Sequence, residues 1–323
     1  MKSLSKIELP LETLSELTRV NLGKQTVKAT EITDGWFNTI YRLTLSDGTP
    51  AVLKMAPPPD FQVMRYERHL MESEVAVLRL LENTDAVPVP RVLAYDATRT
   101  VHSHDYFLME CVPGSSLSSL NGQLTDAERT AIYTELGRIS ASINGVASDR
   151  FGRCHPDRCT ADSWFASIVA MVDDLLLDAQ DRSVELPVSP ERLKEAFGNA
   201  ERELSQVTSP RLVVWDLHPG NVFVENGRIT GIIDCDRAIW GDPLLEFLFR
   251  SLANTPKAFH EGYGDESDTT DRPGAERCIW LYDLYLAMIM RIECGYRGFE
   301  ESHVKWTISE FKRVIEIAQP GWL

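Results

Sequence analysis

Leu212-Val-Val-Trp-Asp216-Leu-His-Pro-Gly-Asn221, with Val222-Phe-Val224, the turn Glu225-Asn-Gly227, Ile229 to Ile233 and then Asp234-Cys-Asp236, is the stretch on which the reading of this chain turns. Two short apolar runs around an Asn-Gly turn predict a hairpin. Asn221 enters its first strand and Asp234 leaves its second, with Asp216 five residues before Asn221. Three oxygen-bearing side chains are thereby expected at the ends of neighbouring extended segments.

Outward from this hairpin the pattern is helical. Thr125 to Val146, Ala161 to Asp181 and Pro190 to Ser205 read as helices before it, and Leu281 to Gly295 and Val304 to Gln319 as long helices after it. Further toward the N-terminus the texture changes. Leu11, Leu14, Leu17 and Leu22 mark a helix over Pro10 to Leu22, closed by Gly23. Thr26 to Ile32, Thr39 to Leu45 and Ala51 to Met55 read as antiparallel strands, the last two joined by Ser46-Asp47-Gly48. Tyr66 to Leu81 carries Leu70, Val75, Val77, Leu78 and Leu81 at amphipathic helical spacing. Val87-Pro-Val-Pro-Arg91 is forced extended, Val92 to Asp96 and Tyr106 to Cys111 complete five strands, and Pro113-Gly114 breaks the sheet. The expected fold is α+β and bilobal: residues 1–112 form a small lobe with an antiparallel five-stranded sheet, and 113–323 a larger, mainly helical lobe. The cleft between such lobes is the expected ligand site.

Composition agrees with a folded protein of this kind. In 323 residues, 43% are hydrophobic and 25% charged, globular values. Lys and Arg number 33 against 48 Asp and Glu, a net charge of −15, which disfavours nucleic acid as a partner and suits a cationic one. The start MKSLSKIELP is not a secretory leader and no run approaches a membrane span, so a cytoplasmic protein without a membrane partner is expected. Six scattered cysteines read as reduced thiols. Cys154-His-Pro-Asp-Arg-Cys159 is a tight pair with His155 inside it, but no second ligand pair follows at zinc-finger spacing, and no metal is expected there.

The chemistry follows from the three oxygen donors. Phosphoryl transfer needs one carboxylate to accept or orient the proton of an attacking hydroxyl, and hard oxygen ligands to hold magnesium on nucleotide phosphates. At these residues the chain resembles the aminoglycoside phosphotransferase and choline kinase group of small-molecule kinases, whose fold is protein-kinase-like. The resemblance runs from the strand before Gly35 to the final helices, through Arg237-Ala-Ile-Trp-Gly-Asp-Pro-Leu244. It implies a catalytic role for Asp216, metal-ligand roles for Asn221 and Asp234, and ATP or GTP as co-substrate. It also implies that Lys54, in Ala51-Val-Leu-Lys-Met55, contacts the α/β-phosphates and that Glu74 pairs with it. Glu72 competes for that pairing but lies on a different helical face. Leu108-Met-Glu-Cys-Val-Pro-Gly114 is similar to the kinase hinge, where the backbone of Glu110 to Val112 would bind adenine. Asp34-Gly-Trp-Phe-Asn38 takes the place of the phosphate-covering turn, with Gly35 alone suited to close backbone approach.

The match departs at Val214 and Trp215, where relatives often carry His and Gly, and in Ala141-Ser-Ile-Asn144, where Leu-His is common. The first departure bears on the rigidity of the loop around Asp216; the second predicts only a packing change. Asp236 reads either as a second metal ligand or as an Arg-paired or solvated carboxylate. His218 reads either as a substrate or phosphate contact or as a structural side chain. Asp242 is expected to cap the following helix or to tie down the catalytic loop. Trp280, Tyr282, Tyr285 and Tyr296 read as core, and Asp173-Asp174 as solvated. Asp265 to Asp271 reads as a solvated charge run or a loop over the acceptor. Glu246, Glu293 and Arg250 are the residues singled out for acceptor contact. The leading expectation is transfer of phosphate to a hydroxyl of a small molecule, an aminoglycoside-like compound among the options. The rival is a silent nucleotide-binding module acting through a partner. A protein kinase is disfavoured, because Ala-Pro-Glu and a long segment after Asp234 are absent.

Overall fold

Helix α1 (Leu11–Leu22) ends where Gly23 turns left-handed at φ 68° and returns its amide to Arg19. The computed structural model describes residues 5–323 apart from 34, 36, 85, 156, 158, 251–253 and 265–270. Two parts of the phosphate-covering turn, Asp34 and Trp36, and the acidic run from Asp265 to Thr270 therefore lie outside the described residues. Strands β1 (Thr26–Ile32), β2 (Thr39–Leu45) and β3 (Pro50–Met55), helix α2 (Leu70–Glu82), and strands β4 (Val92–Asp96) and β5 (Tyr106–Glu110) complete the small lobe. The strands form one antiparallel sheet in the order β1-β2-β3-β5-β4.

Central β3 is covered on both sides, which is why five consecutive residues, 51–55, are buried. Leu53 and Met55 pack with Leu14 and Leu17 of α1, whereas Val52 shares a cluster with Val75 and Leu78 of α2. Alternation along a strand then puts Lys54 on the α2 side with Val52. The helix expected over Tyr66 to Leu81 is divided. Arg65–Glu67 form a separate 3-10 turn, Glu67 bonds back to the Met64 amide at 2.9 Å, and His69 takes φ 65° before α2 starts.

The larger lobe runs through β6 (Ser115–Ser116), α3 (Asp126–Gly145), β7 (Gly152–Arg153), α4 (Trp164–Asp181), α5 (Pro190–Gly198), α6 (Glu201–Leu204), β8 (Arg211–Val213), β9 (Val222–Glu225), β10 (Arg228–Ile232), β11 (Ile239–Gly241), α7 (Lys257–Tyr263), α8 (Ala275–Arg297) and α9 (Glu301–Glu316). Thr125 and Glu128 form a reciprocal capping box at α3, and Ser163 and Ser189 cap α4 and α5. The predicted hairpin is β9-β10, extended by β6; β7, β11 and β8 make a second small sheet. The single helix expected over Pro190 to Ser205 breaks at Asn199–Ala200 into α5 and α6. Helix α8 is longer than its apolar run suggested, starting at Ala275. Its aromatic residues Trp280, Tyr282 and Tyr285 are core, as read. All six cysteines are free thiols, and among the described residues no helix is long and apolar enough to cross a membrane.

Helices α3 and α7 approach closely because each offers a glycine. A Cβ on Gly137 would overlap the Phe259 carbonyl oxygen, and one on Gly262 the Thr134 carbonyl oxygen. Backbone atoms cannot swing aside as a long side chain can. Gly137→Ala should therefore cost about 1–3 kcal/mol, the range for overpacking, read as a lower urea midpoint with an unchanged slope.

Candidate active site

The α2 side of β3 meets the exit of β10 in one charged cluster. Lys54, 3% exposed, donates to Glu74 Oε2 at 2.7 Å and to Asp234 Oδ1 at 2.6 Å, with Asp236 Oδ2 at 3.8 Å. Glu74 is the lysine's helical partner; Glu72 turns elsewhere, to His155. Burial alone would favour neutral Lys54, but Asp234, Glu74 and Asp236 outweigh it and hold the ammonium's pKa well above the ordinary lysine value. Partial burial likewise opposes charge on Asp234, yet Lys54 keeps that carboxyl below its usual range. Asp236, more deeply set, is pushed up to about 7 by burial and by the charge of Asp234. Asp234 itself sits at φ 63°, a left-handed backbone that turns the chain sharply between β10 and Arg237.

Asp216 lies on the loop between β8 and β9, close enough for its charge to act on Asp236 and Arg237. Its carboxylate makes no hydrogen bond among the described residues, whereas its backbone carbonyl accepts from the Asn221 side-chain nitrogen at 3.0 Å and the His218 amide at 2.8 Å. Asn221 is thereby fixed through its side-chain nitrogen, with its side-chain oxygen left as a donor atom for a cation. His218 Nδ1 accepts from the Gly220 amide at 2.9 Å and its ring meets Phe247 edge-on, so the structural reading of this histidine has a physical basis.

The departures at Val214 and Trp215 are compensated within the loop. Trp215 takes φ 72°, a conformation glycine adopts without strain and other residues at a cost of about 1–2 kcal/mol. Its ring offsets that by stacking on Tyr285 at 5.5 Å, with the guanidinium groups of Arg153 and Arg250 at 4.8 and 5.6 Å. Glu246, 1% exposed, receives the Trp215 amide at 2.9 Å on one oxygen and the Leu217 amide at 3.0 Å on the other. A carboxylate thus grips the backbone on either side of Asp216. Asn144, in the segment expected to differ only in packing, adds a tie from α3: it donates to the Leu212 carbonyl at 2.7 Å and accepts from Tyr263 at 2.9 Å.

Other singled-out residues are accounted for within the fold. Asp242 caps the turn at Leu244 and is held by Arg272 and by Tyr282 at 2.5 Å; the tie to the catalytic loop comes from Glu246 instead. Glu293 accepts from Tyr66 at 2.7 Å, Arg237 at 3.2 Å and Arg297 at 3.3 Å, and Arg297 also pairs with Glu67, which locks α8 to the turn before α2. Arg250 donates to the Leu245 carbonyl at 3.2 Å. Glu246 and Glu293 are thus engaged by internal donors, whereas Arg250 keeps Nε and Nη1 without a hydrogen-bond partner among the described residues. At the hinge, the Glu110 amide is taken by the Arg91 carbonyl at 3.0 Å and its side chain by Arg91, while the Val112 amide makes no hydrogen bond among the described residues. Gly35 has an ordinary backbone, and a Cβ there would meet only Ile40 at 3.7 Å.

The sequence singles out Glu246 for acceptor contact and Asn144 for packing; that both anchor the loop around Asp216, and that Tyr66, Glu67, Arg237 and Arg297 cluster with Glu293, does not follow from it. The one signal for Glu246 is a lone acid within Leu244-Leu-Glu-Phe-Leu-Phe249, since a carboxylate buried in an apolar run needs donors.

The sequence model of the phosphotransferase enzyme family matches residues 28–276. No curated protein matches the chain. Among solved structures it is similar to a Thermobifida fusca YX-ER1 protein assigned as a fructosamine-3-kinase, at 18% identity over 95% of this chain and 100% of that one, TM-score 0.70. It is similar to aminoglycoside phosphotransferase APH(4)-Ia, at 15% identity over 96% and 100%, TM-score 0.67. A third is the ternary complex of APH(2″)-IIa with streptomycin and ATP, at 17% identity over 95% and 97%, TM-score 0.64. At these identities the likeness is one of fold, a bilobal protein-kinase-like architecture.

Proposed function

Because the chain belongs to the phosphotransferase enzyme family, we propose that it is a magnesium-dependent kinase that moves the γ-phosphate of ATP to a hydroxyl of a small molecule. The observation that carries this reading is Lys54 bonded to both Glu74 and Asp234 and beside Asp236, whose carboxyl feels the charge of an Asp216 carboxylate that has no hydrogen bond of its own among the described residues. A fixed cation and a free proton acceptor facing one cleft are what phosphoryl transfer asks of side chains.

Asn221 and Asp234 would hold magnesium. The remaining Asn221 oxygen and the 41% exposed Asp234 carboxylate are hard donors of the kind that ion takes. When bound, magnesium neutralises charge on the transferring phosphoryl group. Asp216 orients the acceptor hydroxyl and receives its proton as the new oxygen–phosphorus bond forms and the bond to the leaving ADP breaks. Lys54, kept charged, binds the nucleotide phosphates, and Glu74 fixes its position. The Val112 amide is the hinge donor open to adenine, and the turn at Gly35 covers the phosphates.

For the acceptor, the net charge of −15 favours a molecule with amino groups. Two of the similar structures are aminoglycoside phosphotransferases, one of them complexed with streptomycin and ATP, which supports the same choice. The test is coupled ADP release with magnesium over a panel of aminoglycosides, fructosamines, amino alcohols and neutral sugars. Stimulation by an amino-bearing acceptor is expected. Nucleotide binding with no phosphate consumed by any acceptor would favour a silent module instead.

A further inference from the structure

Apart from the Lys54 cluster, two imidazoles and a carboxylate converge where α2 meets the larger lobe. His155 Nε2 lies 3.1 Å from Glu72 Oε2, and His69 Nδ1 lies 3.7 Å from the same oxygen. One donor atom from each of the three falls within 4.8 Å of the others. The His69 and His155 rings stack, centroids 4.4 Å apart and planes 22° from parallel. His155 is buried at 7% exposure, and His69 reaches this place through its positive φ at the start of α2. The proposed phosphotransfer chemistry uses none of these side chains.

We propose that His69, Glu72 and His155 bind a zinc ion that ties the first turn of α2 to the C-terminal lobe. Two imidazole nitrogens and one carboxylate oxygen suit zinc and disfavour magnesium or calcium, which prefer all-oxygen sets. A tetrahedral ion about 2.0–2.1 Å from each donor places donors about 3.3 Å apart, and 3.1 and 3.7 Å lie on either side of that spacing. Water takes the fourth position. Two rearrangements are required. Stacked rings cannot both aim an in-plane lone pair at one ion, so the exposed His69 ring must turn out of the stack. In addition, His155 Nδ1 accepts from the Asp157 amide at 3.3 Å, so a neutral ring carries its proton on Nε2. Coordination through Nε2 moves that proton to Nδ1 and opens the long Asp157 contact, with no net proton released from this ring. Because Glu74 lies two residues beyond Glu72, zinc here holds α2 in the position where Glu74 meets Lys54.

Chelator-treated full-length protein titrated with cobalt(II) and then zinc tests this. One equivalent of cobalt should give the intense visible bands of a tetrahedral site, zinc should displace it, and zinc should raise the thermal midpoint. His69→Ala and Glu72→Gln alter exposed side chains that the core does not need, so both should fold. Each should lose the tetrahedral bands and weaken zinc binding by more than the roughly 10–100-fold that losing an outer-shell partner costs. Wild-type zinc affinity and cobalt spectrum in both variants would overturn the proposal, as would a wild-type protein with no tetrahedral cobalt signature.

Discussion

Asp216→Ala should lower the transfer rate by about 10²–10⁴-fold, the range for a lost proton acceptor, and leave nucleotide affinity nearly unchanged. The two halves of that expectation rest on different atoms. The loop is anchored through its backbone: Asn221 and His218 bond the Asp216 carbonyl, and Glu246 holds the amides of Trp215 and Leu217. Truncating the side chain touches none of these bonds, so the loop should keep its shape. Lys54, Glu74 and Asp234, which face the nucleotide side, keep their 2.6–2.7 Å contacts as well. What disappears is a carboxylate acceptor for the substrate proton. Single-turnover rates with the acceptor found by ADP release, together with a nucleotide titration, check both halves. Unchanged turnover in the variant would remove Asp216 from the mechanism. Equal losses of turnover and nucleotide binding would mean that the loop had collapsed and that the carboxylate also has a structural role.

The charged cluster is legible through the family resemblance, which implies the roles of Lys54, Glu74, Asn221 and Asp234, and the structure shows how strand and helix geometry places them; the support around the cluster has no periodicity to mark it. Lys54 is placed by strand alternation, because Val52 and Lys54 must share the face that α2 covers. Glu74 is separated from Glu72 by helical geometry, and the structure sends them to different partners, Lys54 and His155. The hairpin carrying Asn221 and Asp234 announces itself through Asn226-Gly227. By contrast, β7, β8 and β11 are two or three residues long, too short for any alternation to register. The break at His69 leaves no mark either, since the apolar spacing of Tyr66 to Leu81 runs on through it without Gly or Pro. The ligand types near His155 in sequence, Cys154 and Cys159, are not the ones beside it in space, since His69 and Glu72 come from the other lobe. Glu246 is the extended residue between two successive 3-10 turns, Pro243–Leu245 and Phe247–Phe249, where neither helical nor strand period applies.

Glu246 is where the second large effect is expected: Glu246→Ala should cost about 3–5 kcal/mol of stability, from the backbone donors it leaves unpaired, and should depress turnover more than nucleotide binding. Its two oxygens accept from the Trp215 amide at 2.9 Å, the Leu217 amide at 3.0 Å and the Phe247 amide at 2.8 Å. Removing them leaves three donors without partners, two of them buried and that of Phe247 partly so, each of which costs about 1–3 kcal/mol if water cannot reach it. Burial raises the pKa of this carboxyl, so folding already bears a desolvation cost that the variant recovers in part. The net loss is therefore smaller than three full penalties. Turnover suffers because the amides released are those flanking Asp216, and because Trp215, held at φ 72°, is then free to relax toward an unstrained backbone. Glu246→Gln separates grip from charge: one amide oxygen can still accept, but the NH₂ group faces a backbone N–H that it cannot satisfy. The glutamine variant should fall between wild type and alanine in both urea midpoint and rate. If alanine matches wild type in both measurements, the loop is held by the Trp215 ring and not by the Glu246 carboxylate.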